Sequence, residues 1–145
     1  MLDICRKCWS LQSKDTDLGR HCHVWFSTKG RKDAFEGDLG GEVGGLLHDI
    51  ARRTGILLVE AELVADHAHL LVELAQHLTL PGVMHQLKGA SAHFILHKYP
   101  ELKIDMRSHS FWQKGYGSRW IPPDQIATVR HYIRTQRDRP FRHAR

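Results

Sequence analysis

No stretch of this 145-residue chain approaches the roughly 18 consecutive apolar residues of a membrane-spanning helix. Nor does the beginning resemble a signal peptide, since Asp3, Arg6 and Lys7 precede any apolar run. A cytoplasmic protein with no membrane partner is expected. Cysteine is scarce: three residues, an odd number, argue against a disulfide framework and for reduced thiols. Repeats and low-complexity segments are absent, and 41% hydrophobic with 26% charged residues excludes disordered and fibrous classes. The length suits one domain with a real core. Acids run short toward the end: from Lys103 onward, ten Lys or Arg (103, 107, 114, 119, 130, 134, 137, 139, 142, 145) face three acids (105, 124, 138). Within a formal net charge of +5, that third is the expected polyanion-facing surface.

The apolar pattern predicts a strand over residues 21–28, followed by the basic loop Lys29-Gly30-Arg31-Lys32. A helix is predicted over 39–54, with Val43, Leu46, Leu47, Ile50 and Ala51 as its core stripe and Gly55 as its stop. Residues 56–64 and 67–74 read as a hairpin turning at Ala65-Asp66. A second helix starts at the N-cap Thr79, with Pro81 in its first turn, and ends at Tyr99-Pro100. A fourth strand is predicted over 114–121. A last helix runs from Pro122-Pro123-Asp124 to Arg139-Pro140, with Ile126, Val129 and Ile133 packed inward. The order β-α-β-β-α-β-α predicts an α+β, ferredoxin-like core with an added C-terminal helix. Residues 1–20 form a polar lead-in, 21–139 the domain and 140–145 a basic tail.

Within this frame the run Asp66-His67-Ala68-His69-Leu70-Leu71-Val72 carries the most information. Side chains alternate along a strand, so His67 and His69 share a face and form a chelating pair at a strand's start. Asp66 serves either as an outer acceptor or, the favoured reading, simply as a turn residue. A metal wants further donors. The best candidates lie in the last helix, where Tyr132 and Gln136 are four residues apart, neighbours at the rim of the packed face. That pairs a nucleophile with a ligand.

These residues resemble the single-tyrosine HUH transposases of the smallest insertion sequences and the related repeat-associated tyrosine transposases. The resemblance spans roughly residues 24–137. It includes Val24-Trp25-Phe26-Ser27-Thr28-Lys29, the histidine run, Leu87-Lys88-Gly89-Ala90-Ser91, Phe111-Trp112-Gln113-Lys114-Gly115-Tyr116 and Tyr132-Ile133-Arg134-Thr135-Gln136. It implies a homodimer that cleaves and rejoins single-stranded DNA with a hairpin at the ends of a mobile element. It also implies Mg²⁺, replaceable by Mn²⁺, bound by His67, His69 and Gln136, with Tyr132 as nucleophile. In the family the nucleophile-bearing helix is mobile and can complete the partner subunit's site; the stiff Pro122-Pro123 puts that exchange in question here.

The residue types suit this chemistry. A phenol of unperturbed pKa about 10 needs a cation to stabilise developing charge, and its phosphodiester product keeps the energy needed for rejoining. Tyr116, flanked by Gly115 and Gly117, is the competing tyrosine and reads as structural. Lys88, Lys114, Arg119, Arg130 and Arg134 are candidate DNA-backbone contacts, and Trp112 and Trp120 are candidates for base stacking or for the core. Cys5 and Cys8 with His21-Cys22-His23 supply donors for a small zinc site but lack finger spacing, which favours free thiols. Two other readings stay open: a domesticated protein that binds or nicks hairpin DNA, and a non-catalytic metal-binding ferredoxin-like dimer.

Overall fold

The computed structural model describes residues 20–35, 37–105 and 110–136. Cys5, Cys8 and the 140–145 tail lie outside the described residues. Among the described residues four strands and four α-helices follow one another: β1 (His21–Ser27), α1 (Leu39–Thr54), β2 (Leu57–Val64), β3 (His67–Glu73), α2 (Leu80–Lys98), α3 (Glu101–Asp105), β4 (Gly117–Ile121) and α4 (Ile126–Arg134). The strands form one sheet in the order β2-β3-β1-β4, with every neighbouring pair antiparallel.

The two faces of the sheet follow from the two-residue period of its strands. Cys22, Val24 and Phe26 of β1 and Ala68, Leu70 and Val72 of β3 enter the main core with Val43, Leu47, Met84 and Leu87 of α1 and α2. The alternate residues turn the other way. There Leu71 and Ile121 meet Val129 and Ile133 of α4, with Tyr132 packed beside them. The fourth helix, α4, thus covers the face that carries the odd-numbered histidines.

Local signals account for the boundaries. Thr79 caps α2 by accepting from the Gly82 N–H at 3.2 Å, and Gly55 ends α1 at φ 76°, a left-handed conformation that suits glycine. Three expectations are corrected. The last strand begins at Gly117 rather than Lys114, because Gly115, at φ 88°, breaks the extended run. In addition, Lys88 Nζ donates to the carbonyls of Gln113 (2.9 Å) and Gly115 (2.7 Å), holding this segment as a turn against α2. The last helix begins at Ile126, after a 3-10 turn over Pro123–Gln125, and ends at Arg134. A short α3 follows Pro100, where the sequence offered only a stop.

Trp112 belongs to the core: it is 5% exposed, lies edge-on to Phe26 and Phe111, and donates Nε1–H to Ser91 Oγ at 2.9 Å. Trp120 is half-buried against the same core, and its buried indole N–H has no hydrogen-bond partner among the described residues. Trp25 lies on the α4 face, over Gly117 of the neighbouring strand. A Cβ at Gly117 would come within 2.3 Å of the Trp25 ring. Gly117→Ala is therefore expected to destabilise the fold by about 1–3 kcal/mol, the usual range for overpacking, measured by urea unfolding. Trp25→Ala in the same background should recover part of that loss.

Candidate active site on the face beneath the last helix

β3 opens with His67 and His69, and β1 sets His23 on the same face one strand over. Across the pair, His69 lies opposite Trp25 and His23 opposite Leu71, so the two imidazoles meet diagonally. The His67 and His69 ring centroids are 4.9 Å apart, at an interplanar angle of 80°. Those of His23 and His69 are 5.3 Å apart and stacked, with His23 Nε2 3.1 Å from His69 Nδ1. Tyr132 descends from α4 onto both, its ring 6.0 Å from His23 and 6.1 Å from His69, edge-on in each case. The nucleophile candidate and one histidine of the candidate chelating pair thus meet within one chain.

Asp66 does more than turn the hairpin. Its carboxylate is fully buried, accepts from His67 Nδ1 at 2.9 Å and from Arg31 Nε at 3.1 Å, and its backbone carbonyl accepts from Thr28 N–H. Burial alone would raise this carboxyl, but the hydrogen bonds from His67 and Arg31 outweigh it and hold it below the usual range. An ionised carboxylate only accepts, so the proton of that bond sits on His67 Nδ1, and in the neutral ring the lone pair sits on Nε2.

His23 and His69 are 4% and 6% exposed. Burial first, then the nearby Arg119 charge, lowers His23 to about 4; burial, then His23 and His67, lowers His69 further still. Both rings are neutral near pH 7. A histidine depressed in the folded state takes up its proton more readily when unfolded, so stability rises with pH through the window between the two values. In metal-free protein, unfolding free energy is expected to fall between pH 6.5 and about 4, by about 1.4 kcal/mol per unit for each of the two histidines. Urea titrations across this range, beside His23→Leu, check it: the variant should lose part of the slope.

Polar anchoring complements the apolar seat of α4. Glu60 of β2 accepts from Arg130 Nε at 3.1 Å and from Arg134 Nε at 2.7 Å. Both arginines are about half exposed, so Glu60→Ala should cost about 1 kcal/mol or less in global stability. Its sharper signature is expected to be faster amide exchange confined to α4.

The remaining candidates are scattered. Gln136 donates its side-chain amide to the Tyr132 carbonyl at 3.1 Å, folded back on its own helix. Lys88 is spent on the 113–115 turn. Arg119 lies beside His23 in register and donates to Gln125 Oε1 at 3.0 Å, while Lys114 is exposed. Among the described residues no group of three or more His, Cys, Asp or Glu is gathered for a metal. Cys22 points into the main core, away from His21 and His23, so the three do not form one donor set. Tyr116 packs against that core, and burial raises its phenol. Sequence reasoning gave His23 only to a possible zinc set with Cys5 and Cys8 and missed its place beside His69.

A family model described as "Transposase IS200 like" matches residues 18–136. The chain is 31% identical over 114 residues to the transposase for insertion sequence element IS200 of Salmonella typhimurium, covering 79% of this chain and 74% of that protein. It is 28% identical over 117 residues to the ISDra2 transposase TnpA of Deinococcus radiodurans, covering 81% and 84%. A crystal structure from Deinococcus radiodurans R1, described as that of a transposase, superposes with a TM-score of 0.66 at 27% identity, covering 81% of this chain and 90% of the other.

Proposed function

The chain belongs to the IS200-like transposase family, and from that premise we propose that it cuts and rejoins single-stranded DNA at insertion-sequence ends through a covalent Tyr132 intermediate. The observation that carries this reading is the convergence of Tyr132, His69 and His23 on one sheet face, with His67 beside them. The order β2-β3-β1-β4 supports a ferredoxin-like arrangement for the core that presents them.

In the proposed reaction the Tyr132 oxygen attacks the scissile phosphorus and gives up its proton to solvent. The P–O3′ bond breaks, and the departing 3′ oxygen takes a proton. The product is a 5′-phosphotyrosine and a free 3′-OH. Attack by a 3′-OH on the same phosphorus reverses the polarity, frees Tyr132 and joins two strands without a nucleotide cofactor.

The donor set suits a divalent cation. Two imidazoles stand together, and each has its Nδ1 engaged by a neighbour, the usual support for ligation through the other nitrogen. Nitrogen donors favour Mn²⁺, and Mg²⁺ would draw more on oxygen from water and phosphate. When bound at His67 and His69, such a cation supplies charge stabilisation at the phosphate. Gln136 would join through its Oε1, the oxygen that its bond to the Tyr132 carbonyl does not use. Arg119, beside His23, is the best placed of the five cations for a DNA phosphate, and Lys88 the least. A hairpin-bearing partner strand and a homodimer rest on family membership alone. The seat of α4 on its own sheet, clasped by Glu60, favours assembly of the site within one chain.

The test is electrophoresis under denaturing conditions, with oligonucleotides from both flanks of the gene labelled at either end, in Mg²⁺ or Mn²⁺. The reading predicts protein on the fragment 3′ of the cut, and none with duplex DNA of the same sequence. Binding of single strands with no adduct would point to the non-catalytic alternative.

A further inference from the structure

From the contact between His23 and His69 we infer that His23 is a positioning residue of the metal site, its Nε2 accepting the Nδ1 proton of His69 and so keeping the lone pair on His69 Nε2. This rests on the metal reading of the site, and it gives a task to a residue that neither chelates nor attacks.

A neutral histidine carries one proton on two nitrogens, and in water the Nε2–H form is the commoner, which would place the lone pair on Nδ1. Chelation by a His-x-His strand pair through equivalent nitrogens needs both rings in one defined form. On His67 the form is set by Asp66, whose carboxylate can only accept. On His69 the equivalent place is taken by His23 Nε2, at 3.1 Å and on the same nitrogen. The two supports are therefore parallel in geometry although one is a carboxylate and the other an imidazole. A carboxylate beside His69 would add a second buried negative charge to that of Asp66. A neutral acceptor does the same orienting work without it, in a position that is 4% exposed and walled by Trp25, 5.0 Å away, and Tyr132. The stacking of the two rings fixes the plane of His69 as well as its proton.

The experiment uses the full chain, with Mn²⁺ alone as the ligand, and two variants. His23→Leu removes the acceptor; His23→Gln returns one through its side-chain carbonyl. Mn²⁺ titration by calorimetry is expected to show affinity about 10- to 100-fold weaker in His23→Leu and restored to within a few-fold in His23→Gln. Nitrogen-15 NMR of the metal-free wild type should report His69 as the Nδ1–H form, changing toward Nε2–H in His23→Leu. Equal Mn²⁺ affinity in wild type and His23→Leu overturns the inference while leaving the metal reading intact. A wild type that binds no Mn²⁺ overturns both. An Nε2–H form of His69 in the wild type overturns the inference with no variant needed.

Discussion

Tyr132→Phe is expected to abolish covalent capture of DNA and to lower strand cleavage by about three orders of magnitude or more, with Mn²⁺ binding unchanged. The ring of Tyr132 packs beside the small core formed by Leu71, Ile121, Val129 and Ile133, and lies edge-on to His23 and His69. Phenylalanine keeps that ring and its packing and removes the attacking oxygen. Unfolding in urea should match the wild type closely. A variant that still forms a protein–DNA adduct, at any comparable rate, would remove Tyr132 from the chemistry.

The second large effect is expected from the histidine pair. His67→Ala and the double variant with His69→Ala should both lose metal-dependent cleavage, by more than the roughly hundredfold that outer-shell losses produce. They differ in structural cost. His69 is 6% exposed and its removal leaves a void against His23 and Tyr132, so the double variant is expected to unfold earlier. His67 is half-buried at the strand's start, and His67→Ala separates chemistry from stability. It also strands Asp66, which keeps Arg31 as its partner and should hold the turn together. Calorimetry with Mn²⁺ beside cleavage assays checks both parts. Cleavage that persists in His67→Ala while Mn²⁺ binding is gone would separate the metal from the reaction.

What the sequence made legible is what short periodicities encode. His67 and His69 share a face because strand side chains alternate, and Tyr132 lies beside the Ile126, Val129, Ile133 stripe because helical neighbours recur at three and four. Both readings hold in the structure, as do the caps at Thr79 and Gly55. The contribution of His23 depends on the register between β1 and β3, a pairing 46 residues apart in sequence that no local pattern encodes. Asp66 reads as a turn former because Asp is common in turns; its fully buried carboxylate becomes visible only once Arg31 and His67 close over it. Lys88 and the pair Arg130 and Arg134 look like surface charge in sequence. In the fold they meet backbone carbonyls and Glu60, respectively. Charge that serves to hold a turn or a helix is indistinguishable in composition from charge that meets a phosphate.

The central claim is that Tyr132 takes the 5′ phosphate of a cut strand. The most direct measurement is mass spectrometry of the protein after reaction with single-stranded DNA from the gene's flanks, followed by nuclease and trypsin digestion. The account predicts a nucleotide on the peptide His131-Tyr132-Ile133-Arg134, joined through the phenol oxygen. A nucleotide on the Tyr116 peptide instead, or cleaved DNA with no protein-linked nucleotide, would contradict it.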